Sequence, residues 1–152
     1  MAERTPEAQL TAFLSEYPPE VRAVAEAALK SMRALMRGAV ELVYDNYNAL
    51  AIAFAPSERR ADVVFSITLY PRWVSLFFAR GATLSDPQQL LRGSGSTVRH
   101  IVLEDASVLN RPPVRALMAQ ALAGAAKPDR KAGRRVIIKL IAKKRRPRRP
   151  AA

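Results

Sequence analysis

Residues 63–78 read VVFSITLYPRWVSLFF, and this stretch decides the fold. In its first half, apolar side chains alternate with small or polar ones, which is the period-two pattern of a strand with one buried face. Pro71 and Arg72 then form a tight turn, and the apolar run Trp73–Phe78 follows as a second strand. Because so short a link joins antiparallel strands, the stretch predicts a hairpin within an antiparallel meander.

Further strands are predicted on both sides of this hairpin. Glu41–Tyr44 and Ala49–Phe54 precede it, and Thr97–Leu103 follows it after a flexible loop at Gly93–Ser96. Val136–Ile141 is a candidate edge strand, which could pair within the chain or with a second copy to form a homodimer. The main sheet is therefore expected to hold about five strands.

Three main helices are predicted, and each begins at a proline, whose fixed backbone angle suits the first helical position. The three prolines are Pro6, Pro19 and Pro112. A further short helix is predicted from Ser85 to Leu91. Together these elements predict one α+β domain over residues 5–126, with a single antiparallel sheet of about five strands packed by helices.

The composition suits a single cytoplasmic domain. A length of 152 residues with 49% hydrophobic content fits one core. The chain has no cysteine, which excludes disulfides, thiolate metal sites and thiol nucleophiles. Its first residues lack the apolar region of a secretory signal, and no run of about 18 apolar residues occurs. We therefore expect a cytoplasmic protein without a membrane span.

Positive charge is concentrated in residues 127–152, which we call the tail. The tail holds 12 of the 25 Lys and Arg and one carboxylate, so it carries 12 − 1 = +11 of the total charge of +12. We expect it to be largely flexible, apart from the candidate edge strand 136–141. Closely spaced cations release counterions from a polyphosphate, so the tail is predicted to contact nucleic acid or another polyanion. The predicted contact residues are Lys143, Lys144, Arg145, Arg146, Arg148 and Arg149.

Other interpretations of the tail stay open at this point. A charge run can be a solvated segment that aids solubility, or it can fold back on Asp and Glu of its own domain. It can also bind an acidic protein or a lipid surface. Prolines at 147 and 150 exclude a helix at the end of the tail and favour an extended path.

A second candidate site lies on the sheet face or in the glycine-rich loop. Exposed aromatic side chains can stack on bases or line a pocket, although core packing is the alternative. The loop at Gly93–Ser96 offers free amides to an anion, with arginines on both sides. His100, the only histidine, is more typical of a core or rim position than of a ligand. The candidate residues are Tyr44, Tyr70, Trp73, Arg92, Arg99 and His100.

No constellation of residues dictates a reaction. Ser94 and Ser96 have no evident base, and their loop lacks the Gly-Lys-Ser/Thr ending of a phosphate-binding loop. With one histidine and no cysteine, only carboxylates remain for a metal, and Glu104-Asp105 is more typical of a solvated turn. We predict a non-enzymatic binding domain, with no catalytic residue, metal ligand or cofactor assigned.

An ordered set of features carries a resemblance to a known family. A helix leads into Glu41–Tyr44, and the aromatic strands Val63–Tyr70 and Trp73–Phe78 follow. Next come Gly81, Leu84-Ser85-Asp86-Pro87, Leu90-Leu91-Arg92-Gly93 and Thr97-Val98-Arg99-His100-Ile101. Over residues 19–125, roughly, this order resembles the YdhG-like group, also called domain of unknown function 1801. The endings Val136–Lys139 and Arg145–Pro150 are similar to the tails of some members.

The resemblance implies a small bacterial α+β domain, likened to frataxin in shape. At least one branch of the group has been linked with iron handling for iron–sulfur assembly. The alternative function that the resemblance implies is therefore an iron or metallocofactor chaperone that uses surface carboxylates.

Overall fold

The computed structural model describes residues 4–150. Within them the chain forms three α-helices and six strands. The helices are α1 (Pro6–Ser15), α2 (Pro19–Leu35) and α3 (Pro112–Ala123). The strands are β1 (Val40–Asp45), β2 (Leu50–Ala55), β3 (Phe65–Leu69), β4 (Val74–Phe78), β5 (Arg99–Leu103) and β6 (Arg135–Ile141). No helix within this range has both the length and the apolar character needed to cross a membrane.

All six strands belong to one sheet, in the order β5-β4-β3-β2-β1-β6. The first four strands pair with their sequence neighbours in antiparallel fashion, as the short links between them predict. Strand β5, which follows β4 after residues 79–98, also pairs with it in antiparallel fashion. The predicted α+β class with one sheet packed by helices is confirmed. The sheet is mixed and has six strands, because the candidate edge strand pairs within the chain and lies parallel to β1.

The core lies between the sheet and its helices. One row of strand residues runs across the sheet through Val43, Ile52, Ile67, Leu76 and Ile101, and all five are buried. The buried stripe of α2 packs against the same face. Since burying one large aliphatic side chain contributes about 1.5–3 kcal/mol, this layer fixes the register of the strands.

The ends of the helices follow local chemistry. Thr5 caps α1, since its hydroxyl oxygen accepts a hydrogen bond from the Ala8 amide at 3.1 Å, and all three α-helices have proline in their first turn. The prediction of a short helix from Ser85 to Leu91 is wrong, because the chain forms no helix over these residues. Instead, the Asp86 carboxylate accepts bonds from the backbone amides of Leu90 and Leu91, at 2.9 and 2.8 Å. The two carboxylate oxygens of Asp86 thereby replace the backbone carbonyls that a helix would use as acceptors.

Strand β1 carries two buried carboxylates on the face that the helices cover. Glu41 and Asp45 alternate with Val43, and both are 1% exposed. Glu41 accepts two hydrogen bonds from Arg33 of α2, both 2.9 Å long, and two from Arg134, at 3.0 and 3.5 Å. A buried carboxylate requires such partners, because burial removes its hydration.

Candidate nucleic-acid interface at the end of the sheet

After β6, the tail crosses the loop that joins β1 to β2. The Ala142 amide donates to the Asp45 carbonyl at 2.8 Å, and the Arg146 amide donates to the Tyr47 carbonyl at 2.8 Å. These backbone bonds hold the tail against residues 46–49, at the end of the sheet where Asp45 lies. Part of the tail therefore folds back on its own domain, which is one of the interpretations that the sequence leaves open.

Arg145 and Arg148 converge on two carboxylates of the domain, an arrangement that we call the clasp. Arg145 bonds to both oxygens of Glu16 at 2.8 Å, and its Nη1 also donates to Asp45 at 2.8 Å. The Nη2 atom of Arg148 donates to the other oxygen of Asp45 at 2.8 Å. Two guanidinium groups thus balance two carboxylates, and bidentate geometry makes the Glu16 pair directional.

The clasp is buried on the Arg148 side. The Arg148 side chain is 4% exposed and also donates to the backbone carbonyls of Asn46 and Tyr47. Its guanidinium lies 5.8 Å from the ring centre of Tyr17, which is within cation–π range. Burial raises the pKa of Tyr17 to about 12, so this phenol stays neutral beside the arginine at physiological pH.

Glu16 forms the outer side of the clasp. Its hydrogen bonds from Arg145 lower the pKa of its carboxyl, against a smaller opposing effect of burial. The carboxylate is therefore ionised at neutral pH and retains its ion pair. Arg149 adds a bond from Nε to the Glu16 carbonyl at 3.2 Å, at the C-terminus of α1, where the helix dipole favours a cation.

The other residues of the tail's end line a groove beside the β3–β4 turn. The groove has a volume of about 580 Å³. It is lined by Asn48, Tyr70, Pro71, Arg72, Trp73, Arg146, Pro147, Arg149 and Pro150. The structure therefore brings together two sets of residues that the sequence predicts separately, the tail arginines and the aromatic pair of the hairpin.

Tyr70 and Trp73 form the aromatic wall of the groove. Their rings stack with centres 4.5 Å apart and an angle of 16° between their planes. Trp73 remains 43% exposed, which is high for a tryptophan in a folded domain. A rigid, partly exposed indole is a platform on which a planar ligand could stack.

The groove also has a cationic wall. Arg72, Arg146 and Arg149 are exposed, and no carboxylate among residues 4–150 forms an ion pair with them. Arg146 lies over the Tyr47 ring at 5.9 Å. Lys143 and Lys144, which follow β6, are also exposed. Arg146 and Arg149 therefore present uncompensated positive charge to the groove.

The remaining candidates of the sheet and loop lie elsewhere. Phe78 pairs with Arg99 at the other end of β4 from Trp73, about 16 Å away along the strand. There the His100 ring packs against Phe77 at 5.1 Å, and the Arg92 backbone pairs with that of His100. His100 thus lies at the rim of the sheet, as the sequence suggests.

Two more candidates have local contacts of their own. Arg99 donates hydrogen bonds from Nη1 to the carbonyls of Gly95 and Val98, at 2.6 and 2.8 Å. These bonds stabilise the glycine-rich loop. Tyr44 lies in β1, and the guanidinium of Arg60 is 5.7 Å from its ring centre. The structure therefore places Arg92, Arg99, His100 and Tyr44 outside the groove.

Sequence reasoning missed the anchors of the clasp. Asp45 and Glu16 were not candidates, and neither were Asn48 and Arg72 of the groove. One signal was available, because Glu41, Val43 and Asp45 share one face of a strand. A carboxylate that shares a face with a buried valine needs a cationic partner.

Among residues 4–150, no three His, Asp or Glu side chains lie close enough together to hold a metal ion. No family model, curated protein or solved structure matches the chain. The resemblance to the YdhG-like group accordingly stays a prediction, and so does the homodimer through the edge strand.

Proposed function

We propose that this protein binds single-stranded nucleic acid in the groove between its tail and the β3–β4 turn. The observation that carries the proposal is the placement of three uncompensated arginines beside a stacked Tyr70–Trp73 pair. Single-stranded nucleic acid offers both features that such a groove fits, a phosphate backbone and unstacked bases. The protein acts here as a binding domain, and no reacting group is assigned to it.

Stacking supplies the first part of the binding free energy. Because every base has a flat face, stacking on Trp73 tolerates any sequence and contributes about 1–3 kcal/mol per base. A base pair inside a duplex cannot offer its face without first unstacking. The aromatic wall therefore favours a single strand over a duplex.

The arginines supply the second part through the phosphates. Three exposed arginines line the groove, Arg72, Arg146 and Arg149, and the exposed Lys143 and Lys144 precede them in the tail, which makes five cations. For a single strand, each phosphate neutralised contributes about −0.7 to the slope of log K against log salt. If all five engage, we expect a slope of about −3.5.

Fluorescence anisotropy tests the proposal with the full chain and a labelled single-stranded oligonucleotide of about twelve nucleotides. Trp73→Ala should weaken binding by about 5- to 150-fold, the equivalent of one lost stacking contact. Binding should also quench the protein's own fluorescence, since Trp73 is the only tryptophan.

A matched pair of variants separates the groove from general charge. Arg149→Gln should reduce the magnitude of the salt slope by about 0.7. Arg115→Gln removes the same charge from an exposed position on α3 and should leave the slope unchanged. A slope near zero for the wild-type protein, or equal affinity of Trp73→Ala and the wild type, would refute the proposal.

A further inference from the structure

The end of the tail repeats a three-residue unit, and its contacts repeat with the same period. Residues 145–147 and 148–150 both read Arg-Arg-Pro. The first arginine of each unit, Arg145 or Arg148, bonds to the domain's carboxylates. The second arginine and the proline of each unit line the groove. Equivalent positions of the repeat therefore face the same way.

Neighbouring arginines consequently differ in their partners. Arg148 is 5% exposed and bonds to the Asp45 carboxylate, whereas Arg149 is exposed, bonds among residues 4–150 to the Glu16 backbone carbonyl only and lines the groove. Arg145 engages both carboxylates, whereas no carboxylate of the described residues pairs with Arg146. We call Arg145 and Arg148 the inner pair, because they bond to the domain's carboxylates, and Arg146 and Arg149 the outer pair, because they line the groove.

We propose that Arg145 and Arg148 are positioning residues, which hold the outer arginines beside the aromatic wall and so give the groove its preference for a single strand. This inference rests on the proposed function. The inner pair does not contact the ligand. Its ion pairs with Glu16 and Asp45 hold the tail against the domain, and the position of the tail sets where Arg146 and Arg149 meet the ligand.

The physical reason is the difference between a free and a docked cationic segment. A free segment binds any polyanion by counterion release, without regard to shape. A docked segment presents Arg146 and Arg149 at a fixed place beside Trp73, so one ligand can engage phosphate contacts and stacking together. Because Arg146 and Arg149 are already ordered before binding, a ligand that matches their positions binds without the entropic cost of ordering them.

The clasp requires arginine and not merely positive charge. Arg145 reaches two oxygens of Glu16 and one of Asp45 at once, which uses the planar fork of its guanidinium. Arg148 bonds to one carboxylate and two backbone carbonyls. A lysine ammonium keeps the positive charge but lacks the planar, forked arrangement of N–H donors that a guanidinium has. Arginine-to-lysine changes therefore remove the clasp at constant net charge.

The experiment compares Arg145→Lys/Arg148→Lys with Arg146→Lys/Arg149→Lys in the full chain. The two double variants have the same composition and charge as each other. Dissociation constants are measured at two salt concentrations for a single-stranded oligonucleotide, for a duplex of the same length and for heparin. Hydrogen exchange of the Arg146 amide, which bonds to the Tyr47 carbonyl, reports docking of the tail independently.

We expect the inner variant to lose protection at the Arg146 amide and to lose its preference for the single strand over heparin by about fivefold or more. It should still bind all three probes in a salt-dependent way. The outer variant should keep its amide protection and hold the preference to within about twofold, because lysine also binds phosphate.

Glu16→Gln is a milder variant in case the inner pair is needed for folding, because this half-exposed residue anchors only the Arg145 side. The inference is overturned if Arg145→Lys/Arg148→Lys or Glu16→Gln loses protection of the Arg146 amide but keeps the wild-type preference for the single strand over heparin. An equal loss of preference in the inner and outer variants also overturns it. If the wild-type protein binds none of the three probes, the proposed function fails and the inference on binding fails with it, while amide exchange still reports whether the clasp docks the tail.

Discussion

Replacing Asp45 with Asn removes the buried charge on which Arg145 and Arg148 converge. Asp45 is 1% exposed, and the Arg148 side chain is 4% exposed, so neither group can recover its hydration without local opening. Removing one partner of a buried ion pair costs about 3–5 kcal/mol. We expect the lower end, about 3 kcal/mol, since Arg145 keeps Glu16 and Arg148 keeps two backbone carbonyls.

Thermal and urea unfolding measure this loss. For a chain of this size, about 3 kcal/mol corresponds to a fall in Tm of about 6–12 °C. Glu58→Gln is the matched control, since it exchanges an exposed acid for its amide and should change the stability by less than about 0.5 kcal/mol. A double-mutant cycle with Arg148→Gln should give a coupling free energy above about 0.5 kcal/mol.

The reasoning fails if Asp45→Asn is as stable as Glu58→Gln to within about 1 kcal/mol. It also fails if the effects of Asp45→Asn and Arg148→Gln simply add. Either result would mean that the clasp carboxylate is hydrated in solution and that the tail does not depend on it.

Two further predictions concern other parts of the fold. Gly38→Ala should cost about 2 kcal/mol or more, because Gly38 has a φ of 86° and an added Cβ would overlap the Asp129 carbonyl oxygen. Gly95→Ala is the control, since its Cβ would meet no atom within 4 Å, and equal stabilities of the two variants would contradict the prediction. Burial and the charge of Arg92 lower the pKa of His100 below 6.5, so the folded state disfavours the proton and stability should fall as pH drops through 6.5 towards the lowered value. An NMR titration of this single histidine checks the sign, and a pKa above 6.5 would contradict it.

Most of the fold could be predicted because its signals are local. The alternation in β3, the turn at Pro71 and the start of α1 at Pro6 each depend on neighbouring residues alone. The helix predicted at Ser85–Leu91 failed for a local reason too, because the side chain of Asp86 competes for the amides of the following turn.

The pairing of β6 and the division of the tail could not be predicted, because both depend on distant residues. Nothing in the sequence near Val136 indicates that it lies parallel to β1. In the repeat at 145–150, Arg145 and Arg146 are the same residue type, and only the position of Glu16 and Asp45 distinguishes them. The buried carboxylates of β1 were the one available sign that cations from elsewhere would come to this strand.

The sequence distance between β1 and the segment that pairs with it has a consequence for folding. Arg134, Arg145 and Arg148 lie 93, 100 and 103 residues after the carboxylates that they bind. Contacts of such sequence separation slow folding, because a long loop must close before they form. Until residues 134–148 have been synthesised, β1 is an open edge with incompletely paired carboxylates, the kind of edge at which nascent chains associate. We therefore expect the domain to complete its fold only after residues 134–148 have been synthesised, and chain association in the cell to depend on how quickly this segment follows β5.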